Sequence, residues 1–149
     1  MNTEATEDCI EACNKILRGE RSAVETYEMA FEKHGSDSRL SELREICEEH
    51  RRSVTDLEQI IVRMGGKPST DSGAWGTFAK AVQGSANLFG KESAVESLQK
   101  GEKKGKEDYE DALEGDDLMP ECRNLYSTTL LPRVVKHISI LEGLENRVD

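Results

Sequence analysis

The sequence has few of the residues that mark loop-rich, membrane-spanning or nucleic-acid-binding proteins. Of its 149 residues only 3 are proline and 12 are glycine, too few for a loop-rich or all-β fold. No stretch approaches the roughly 20 consecutive apolar residues of a membrane span. The chain has 20 basic and 30 acidic residues, and a net charge of -10 repels phosphate backbones and anionic lipid. We therefore expect neither nucleic acid nor a membrane as a partner.

The first residues also lack the features of a secretory signal. The segment MNTEATEDCIEAC has no basic start and no apolar core, so the predicted location is the cytoplasm. The four cysteines should then be reduced. Cys9 and Cys13 lie one helical turn apart, but no second Cys or His pair follows at zinc-finger spacing. This favours buried thiols and leaves the role of Cys9, Cys13 and Cys122 open.

The apolar residues recur at helical spacing. Leu, Ile, Val and Phe together make up only 31 of 149 residues, so folding depends on their arrangement. They repeat every three or four positions along four long segments, which predicts an all-α four-helix bundle in a single domain, residues 1–149. Pro132, inside the last segment, predicts a kink or a later helix start. The predicted helices cover about residues 6–34, 38–64, 91–114 and 120–147.

The connection over residues 65–90 is too long for a simple turn, because helix–helix connections in bundles usually have about 2–8 residues. Its length predicts a crossover along the bundle, with two hairpins in up-down-down-up order. Its apolar residues are spaced as in a short extra helix: Trp75, Phe78, Val82, Leu88 and Phe89. They also suggest an alternative function, a metal-free interaction module that forms a homodimer through this segment.

An internal repeat relates the two predicted hairpins. Residues 19–28, GERSAVETYE, recur at 101–110 as GEKKGKEDYE, with matching Gly-Glu and Tyr-Glu positions. Downstream, His50 and His137 begin the related stretches H-x3-V-x2-LE and H-x3-L-x2-LE. Each hairpin therefore carries a Glu on its first helix and a His on its second.

Four titratable residues interrupt the apolar seams: Glu20, His50, Glu102 and His137. The members of each Glu–His pair are equidistant from their hairpin turn, so both pairs should meet near the middle of the bundle. Buried acids and imidazoles are costly unless they are paired, protonated or bound to metal. Two carboxylates and two neutral imidazoles suit one Zn, Fe or Mn ion. The alternatives are a metal-free layer of paired charges and a register that turns some of the four outward.

Three further residues lie on the same seams. Tyr27 and Tyr109 follow their glutamates by two turns. Each either fills the core or forms a hydrogen bond to a ligand carboxylate across the bundle. Cys47 precedes His50 by one turn and is either a small core residue or a soft fourth ligand. The glutamates of the second helix, Glu49 among them, are predicted to form a solvated face.

At these residues the sequence resembles the ferritin-like superfamily, whose helices carry Glu, Glu-x-x-His, Glu and Glu-x-x-His in turn. It is more closely similar to an uncharacterised bacterial family of ferritin-like four-helix proteins, a domain of unknown function. The similarity is carried by Gly19-Glu20-Arg21, by the Gly65-Gly66-x-Pro68 helix stop and by residues 101–113. It implies Glu20 and Glu102 as terminal carboxylates and His50 and His137 as histidine ligands.

The sequence departs from that superfamily at the carboxylates that bridge two metals. Cys47 and Val134 stand where each Glu-x-x-His motif has its Glu. The resemblance therefore implies a site for at most one metal ion. Four protein ligands leave no open position on that ion, which favours a non-catalytic role in metal binding or in stress and metal homeostasis. A di-iron oxidoreductase with hydroxide or water bridges is the second alternative.

Overall fold

Helices and their connections make up the whole described chain. The computed structural model describes the backbone of residues 3–148 and the side chains of residues 3–146, so residues 1, 2 and 149 of the predicted domain lie outside it. Residues 3–148 contain no strand, and no helix there has the length and apolar character that a bilayer span requires. The elements are α1 (Thr3–His34), a 3-10 turn (Ser38–Leu40), α2 (Ser41–Arg63), α3 (Gly76–Gln83), α4 (Ala94–Glu114), α5 (Pro120–Leu125), a π-helical turn (Tyr126–Leu130) and α6 (Leu131–Val148).

Local capping explains why the helix ends differ by a few residues from the prediction. The Asp37 carboxylate accepts the Arg39 N–H at 2.9 Å, which forms a 3-10 turn before α2. Gly65 follows α2 with a φ of 86°, a left-handed conformation that favours glycine. The Ser93 hydroxyl accepts the Glu96 N–H at 3.1 Å, so α4 begins at residue 94 rather than 91.

The direction of each long helix follows from the residues that share a core cluster. α1 packs against α2 and α4, and α6 also packs against α4 and α2. One apolar cluster combines the C-terminal parts of α1 and α6 with the N-terminal parts of α2 and α4. The other cluster combines the N-terminal parts of α1 and α6 with the C-terminal parts of α2 and α4. α1 therefore runs antiparallel to α2 and α4, and the connection over residues 65–90 spans the length of the helices.

A short helix is present in this connection as α3, which lies against α1 and α4. It contains Phe78 and Val82, whereas Trp75 precedes it and Leu88 and Phe89 of the predicted pattern follow it. The five apolar side chains of the connection belong to the first cluster. Phe78 is partly buried, and the other four are buried: Trp75, Val82, Leu88 and Phe89. The apolar pattern that suggested a dimerising surface therefore serves the core of the chain itself. The homodimer stays a prediction.

Trp75 packs where the connection meets the long helices. Its backbone N–H donates to the Ser22 hydroxyl at 2.9 Å. Its ring centroid lies 6.1 Å from that of His50. A Cβ atom at Gly101 of α4 would lie 2.6 Å from the indole ring. Glycine at this position therefore allows the close approach of the tryptophan.

The last helical segment passes through Pro132 without a break, where the sequence predicted a kink or a later start. Proline has no N–H for the carbonyl four residues earlier, and its ring crowds that carbonyl. The preceding residues widen into the π-helical turn, in which the Leu131 N–H bonds to the Tyr126 carbonyl. The Thr128 hydroxyl donates to the Asn124 carbonyl at 2.7 Å, which satisfies an acceptor beside the widened turn.

The contact between Gly101 and Trp75 can be tested with two glycines of the same helix. Gly101→Ala should lower the free energy of unfolding by about 1–2 kcal/mol, because the new methyl group overpacks the buried indole ring. Gly105→Ala should raise it by about 0.5–1 kcal/mol, because alanine favours the helix and a Cβ there meets no atom within 4 Å. Urea denaturation of both variants measures the difference. Equal gains in stability from the two substitutions would contradict the packing role of Gly101.

Candidate functional site

Four long helical segments each contribute one titratable side chain to the same buried layer. Glu20 comes from α1, His50 from α2, Glu102 from α4 and His137 from α6. Between 0% and 5% of each residue is exposed. On every helix the polar residue takes a position of the apolar seam, so the helical period that buries its neighbours also turns it inward.

The four side chains form a continuous row of polar contacts. His50 Nδ1 lies 2.5 Å from Glu20 Oε1, and His50 Nε2 lies 2.6 Å from Glu102 Oε2. The other oxygen of Glu102 lies 3.3 Å from His137 Nδ1. The centroids of the two imidazole rings are 4.7 Å apart. Each predicted pair is present within its hairpin, and the contact between His50 and Glu102 joins the pairs at one height.

Each of the two glutamates also accepts a hydrogen bond from the tyrosine of the other hairpin. The Tyr27 hydroxyl donates to Glu102 Oε2 and the Tyr109 hydroxyl donates to Glu20 Oε2, both at 2.6 Å. Because α1 and α4 are antiparallel, a tyrosine seven residues after one glutamate comes level with the other glutamate. Both roles predicted for these tyrosines are present, because their rings also pack in the two apolar clusters.

Glu49 extends the row, although its sequence position suggested a solvated face. Its Oε1 lies 2.8 Å from His137 Nε2, and its Oε2 accepts a hydrogen bond from Lys136 at 2.5 Å. Its side chain is 20% exposed, so the row ends near the surface. The interpretation was wrong for Glu49 because α6 packs beside this part of α2. The periodicity of α2 alone does not reveal that neighbour, and nothing in the sequence separates Glu49 from the other glutamates of the helix.

The contacts of the row fix the charge of His50. Both of its ring nitrogens face carboxylate oxygens, so both carry a proton and the ring is an imidazolium. Burial alone lowers the pKa of His50, but the charges of Glu102 and Glu20 outweigh burial and raise that pKa to about 10. Burial raises the pKa of Glu102, and the two histidines outweigh it and lower that pKa to about 2.

The same surroundings shift the pKa values of Tyr27, Tyr109 and Glu49. Burial and the nearby carboxylates raise the pKa of Tyr27 and Tyr109 well above the ordinary tyrosine value, so both hydroxyls remain donors. Partial burial raises the pKa of Glu49, but hydrogen bonds from Lys136 and His137 outweigh it and lower that pKa. Within the row, His50, Tyr27 and Tyr109 are therefore protonated donors, and Glu102 and Glu49 are ionised. Among the residues whose side chains are described, every buried side-chain nitrogen or oxygen has a hydrogen-bond partner.

Three of these side chains could hold one metal ion. One nitrogen of His50, one nitrogen of His137 and one oxygen of Glu102 lie within 4.8 Å of one another. Glu20 does not belong to this group, because it contacts the far nitrogen of His50. Beside the group, a cavity of about 20 Å³ reaches toward Gly19 and Gly105. A cavity of that size has room for one water molecule.

Cys47 and Val134 lie outside the metal-binding group. The Cys47 thiol is 3.9 Å from the Val24 carbonyl, and the residue packs in the first apolar cluster. It is therefore the small core residue of its two predicted roles. Burial raises the pKa of its thiol to about 11. Val134 is buried and lines the small cavity, where it offers no ligand atom.

The row predicts how the stability of the metal-free protein changes with pH. The folded pKa of His50 is raised, so its contribution is complete below about pH 6.5 and is lost as the pH rises toward 10. The folded pKa of Glu102 is lowered, so its contribution is complete above about pH 4.5 and is lost as the pH falls toward 2. The free energy of unfolding from urea titrations should therefore be lower at pH 9 and at pH 3 than at pH 6.

The control for this measurement is His34→Gln, which removes a histidine outside the row. His34 lies at the end of α1 and contacts the Ser85 hydroxyl at 3.0 Å. The variant should keep the loss of stability between pH 6 and pH 9, because the lowered pKa of His34 does not contribute to that loss. Equal stability of the natural protein at pH 6 and pH 9 would contradict the assignment of a charged His50.

The comparison with known families covers three of the four helices that form the layer. A family model described as a domain of unknown function, DUF2383, matches residues 8–115. The matched range includes Glu20, His50 and Glu102 and ends before His137. No curated protein and no solved structure matches the chain. Because the matched range is well over half of the sequence, the chain belongs to the DUF2383 family, whose function is unknown.

Proposed function

We propose that this protein is a ferritin-like four-helix bundle that binds one divalent metal ion through His50, Glu102 and His137. The observation that carries the proposal is that three ligand atoms from α2, α4 and α6 lie within 4.8 Å of one another in a buried layer. The antiparallel hairpins and the long crossover support the ferritin-like arrangement. Nitrogen and oxygen donors suit Zn, Fe or Mn.

The carboxylates behind the two histidines support a metal site. A histidine ligand usually donates its second ring N–H to a carboxylate, which orients the ring. Glu20 stands behind His50 at Nδ1, and Glu49 stands behind His137 at Nε2. The nitrogens left to face Glu102 are His50 Nε2 and His137 Nδ1. We therefore assign Glu20 to the orientation of His50, whereas the sequence suggested a direct ligand.

The charges of the layer balance with a divalent ion. Two neutral imidazoles and the carboxylates of Glu20 and Glu102 carry two negative charges, which the ion neutralises. The charge of Glu49 is balanced by Lys136 at 2.5 Å. The imidazolium of His50 has to release one proton for its nitrogen to bind, so binding and proton release are coupled.

The size of the site supports binding of an ion rather than turnover of an organic substrate. The adjacent cavity of about 20 Å³ has room for a water molecule. The bridging carboxylates of a ferritin-like dinuclear centre are missing, because the two corresponding positions hold Cys47 and Val134. The site therefore fits sequestration or sensing of a single ion, in metal or stress homeostasis.

Metal content tests this proposal. Protein loaded with Zn(II), Fe(II) or Mn(II) and then desalted should retain one equivalent of at least one of these ions by elemental analysis. Glu102→Gln and His137→Ala should lose that equivalent, because each removes a ligand from the group.

The matched control is His34→Ala, which removes a histidine that is not in the layer and should keep the bound ion. Circular dichroism of each variant shows whether it is still helical. An unchanged metal content in folded Glu102→Gln and His137→Ala would eliminate the proposal. Two equivalents at this layer would favour the di-iron alternative instead.

The different roles of the two buried glutamates give a second test. Glu20→Gln should still bind one equivalent but with an affinity lower by about 10–100-fold, as expected for loss of an orienting group. Glu102→Gln should lose the equivalent altogether. Isothermal titration with the retained metal distinguishes the two. Equal losses of metal affinity in both variants would indicate that Glu20 is a direct ligand.

A further inference from the structure

A second group of potential ligands lies in the other apolar cluster and consists of sulfur atoms. Cys9 and Cys13 are on α1, and Cys122 is on α5. The Cys122 Sγ lies 3.3 Å from that of Cys9 and 3.7 Å from that of Cys13. All three residues are fully buried, and their sulfur atoms lie within 4.8 Å of one another. These cysteines form the thiol cluster of the protein.

The thiol cluster has polar partners that an ordinary apolar core does not need. The Met119 N–H donates to the Cys9 sulfur at 3.3 Å, and the Tyr126 hydroxyl donates to the Cys13 sulfur at 3.3 Å. Donors aimed at sulfur favour the thiolate form, which is the form that binds metal. The Met64 Sδ lies 3.8 Å from the Cys122 sulfur, so a fourth sulfur adjoins the cluster.

We propose that Cys9, Cys13 and Cys122 bind one soft metal ion, Cu(I) or Zn(II), as a three-thiolate site with Met64 at its edge. This site is separate from the layer of glutamates and histidines and does not depend on the proposed function. Thiolate and thioether sulfurs select Cu(I) and Zn among biological metals. The thiol protons pass to solvent as the ion binds.

The spacing of the sulfurs fits such an ion. Zn–S bonds of about 2.3 Å place the sulfurs of a tetrahedral site about 3.8 Å apart. The measured separations from Cys122 are 3.3, 3.7 and 3.8 Å to Cys9, Cys13 and Met64. A bond between two of the cysteines would use only one pair, whereas a metal uses all three. Met64 is half-buried, so it places a thioether between the cluster and the surface.

Competitive metal titration tests the thiol cluster. Reduced, metal-free protein is titrated without oxygen, with Cu(I) in one arm and Zn(II) in the other, against a coloured chelator of each ion. The natural protein should withdraw one equivalent of Cu(I), or one equivalent of Zn(II) in addition to any that the layer of glutamates and histidines binds. Cys9→Ser, Cys13→Ser and Cys122→Ser should each lose it. Met64→Leu should weaken Cu(I) binding more than Zn(II) binding, because a thioether is a soft ligand.

Cys47→Ser is the matched control, because Cys47 is equally buried but lies in the first apolar cluster. It should retain the equivalent. His137→Ala should also retain it, which separates this site from the layer. X-ray absorption should show at least three sulfur ligands per metal in the natural protein loaded with Cu(I), or in His137→Ala loaded with Zn(II). Any one of three results would overturn the proposal. These are binding that survives loss of the three cysteines, coordination by nitrogen and oxygen only, and no capture of either ion.

Discussion

The carboxylate of Glu102 is the contact on which the arrangement of the long helices depends. It is fully buried on α4 and is held by His50 of α2, His137 of α6 and Tyr27 of α1. A buried charge is tolerated only when its partners are close and well oriented, and removal of one partner typically costs about 3–5 kcal/mol. All four helical segments are therefore constrained in height and rotation by one side chain. Apolar packing alone tolerates small shifts that this network does not.

The same constraint prepares the layer for a cation. A carboxylate between two imidazoles, each supported from behind by another carboxylate, is also the arrangement of a protein metal site. In the proposed function, protons and a divalent ion compete for the same atoms. The row reaches the surface through Glu49 and Lys136.

A pair of tyrosines separates this layer from the thiol cluster. The rings of Tyr109 and Tyr126 pack edge to face, with centroids 5.2 Å apart. The Tyr109 hydroxyl bonds to Glu20 and the Tyr126 hydroxyl to Cys13. Tyr126 begins the π-helical turn that precedes Pro132, so this local widening of the helix accompanies the contact between the two regions. The two tyrosine rings therefore lie between the layer and the thiol cluster.

The repeat and the helical period were sufficient to predict the centre of the layer. Two residues equidistant from a tight turn come level when the hairpin is antiparallel, which is why Glu20 and His50, and likewise Glu102 and His137, were paired correctly. The extra helix in the crossover followed from its apolar spacing in the same way. These are local relations, set by the fixed rise and period of a helix.

The residues that escaped prediction contact helices outside their own hairpin or distant in the chain. Glu49 meets His137 because α2 packs beside α6, and Cys122 meets Cys9 and Cys13 across more than a hundred residues. Such contacts depend on how each helix is rotated against its neighbours. That rotation follows from the packing of all side chains together, so no single periodic pattern in the chain encodes it.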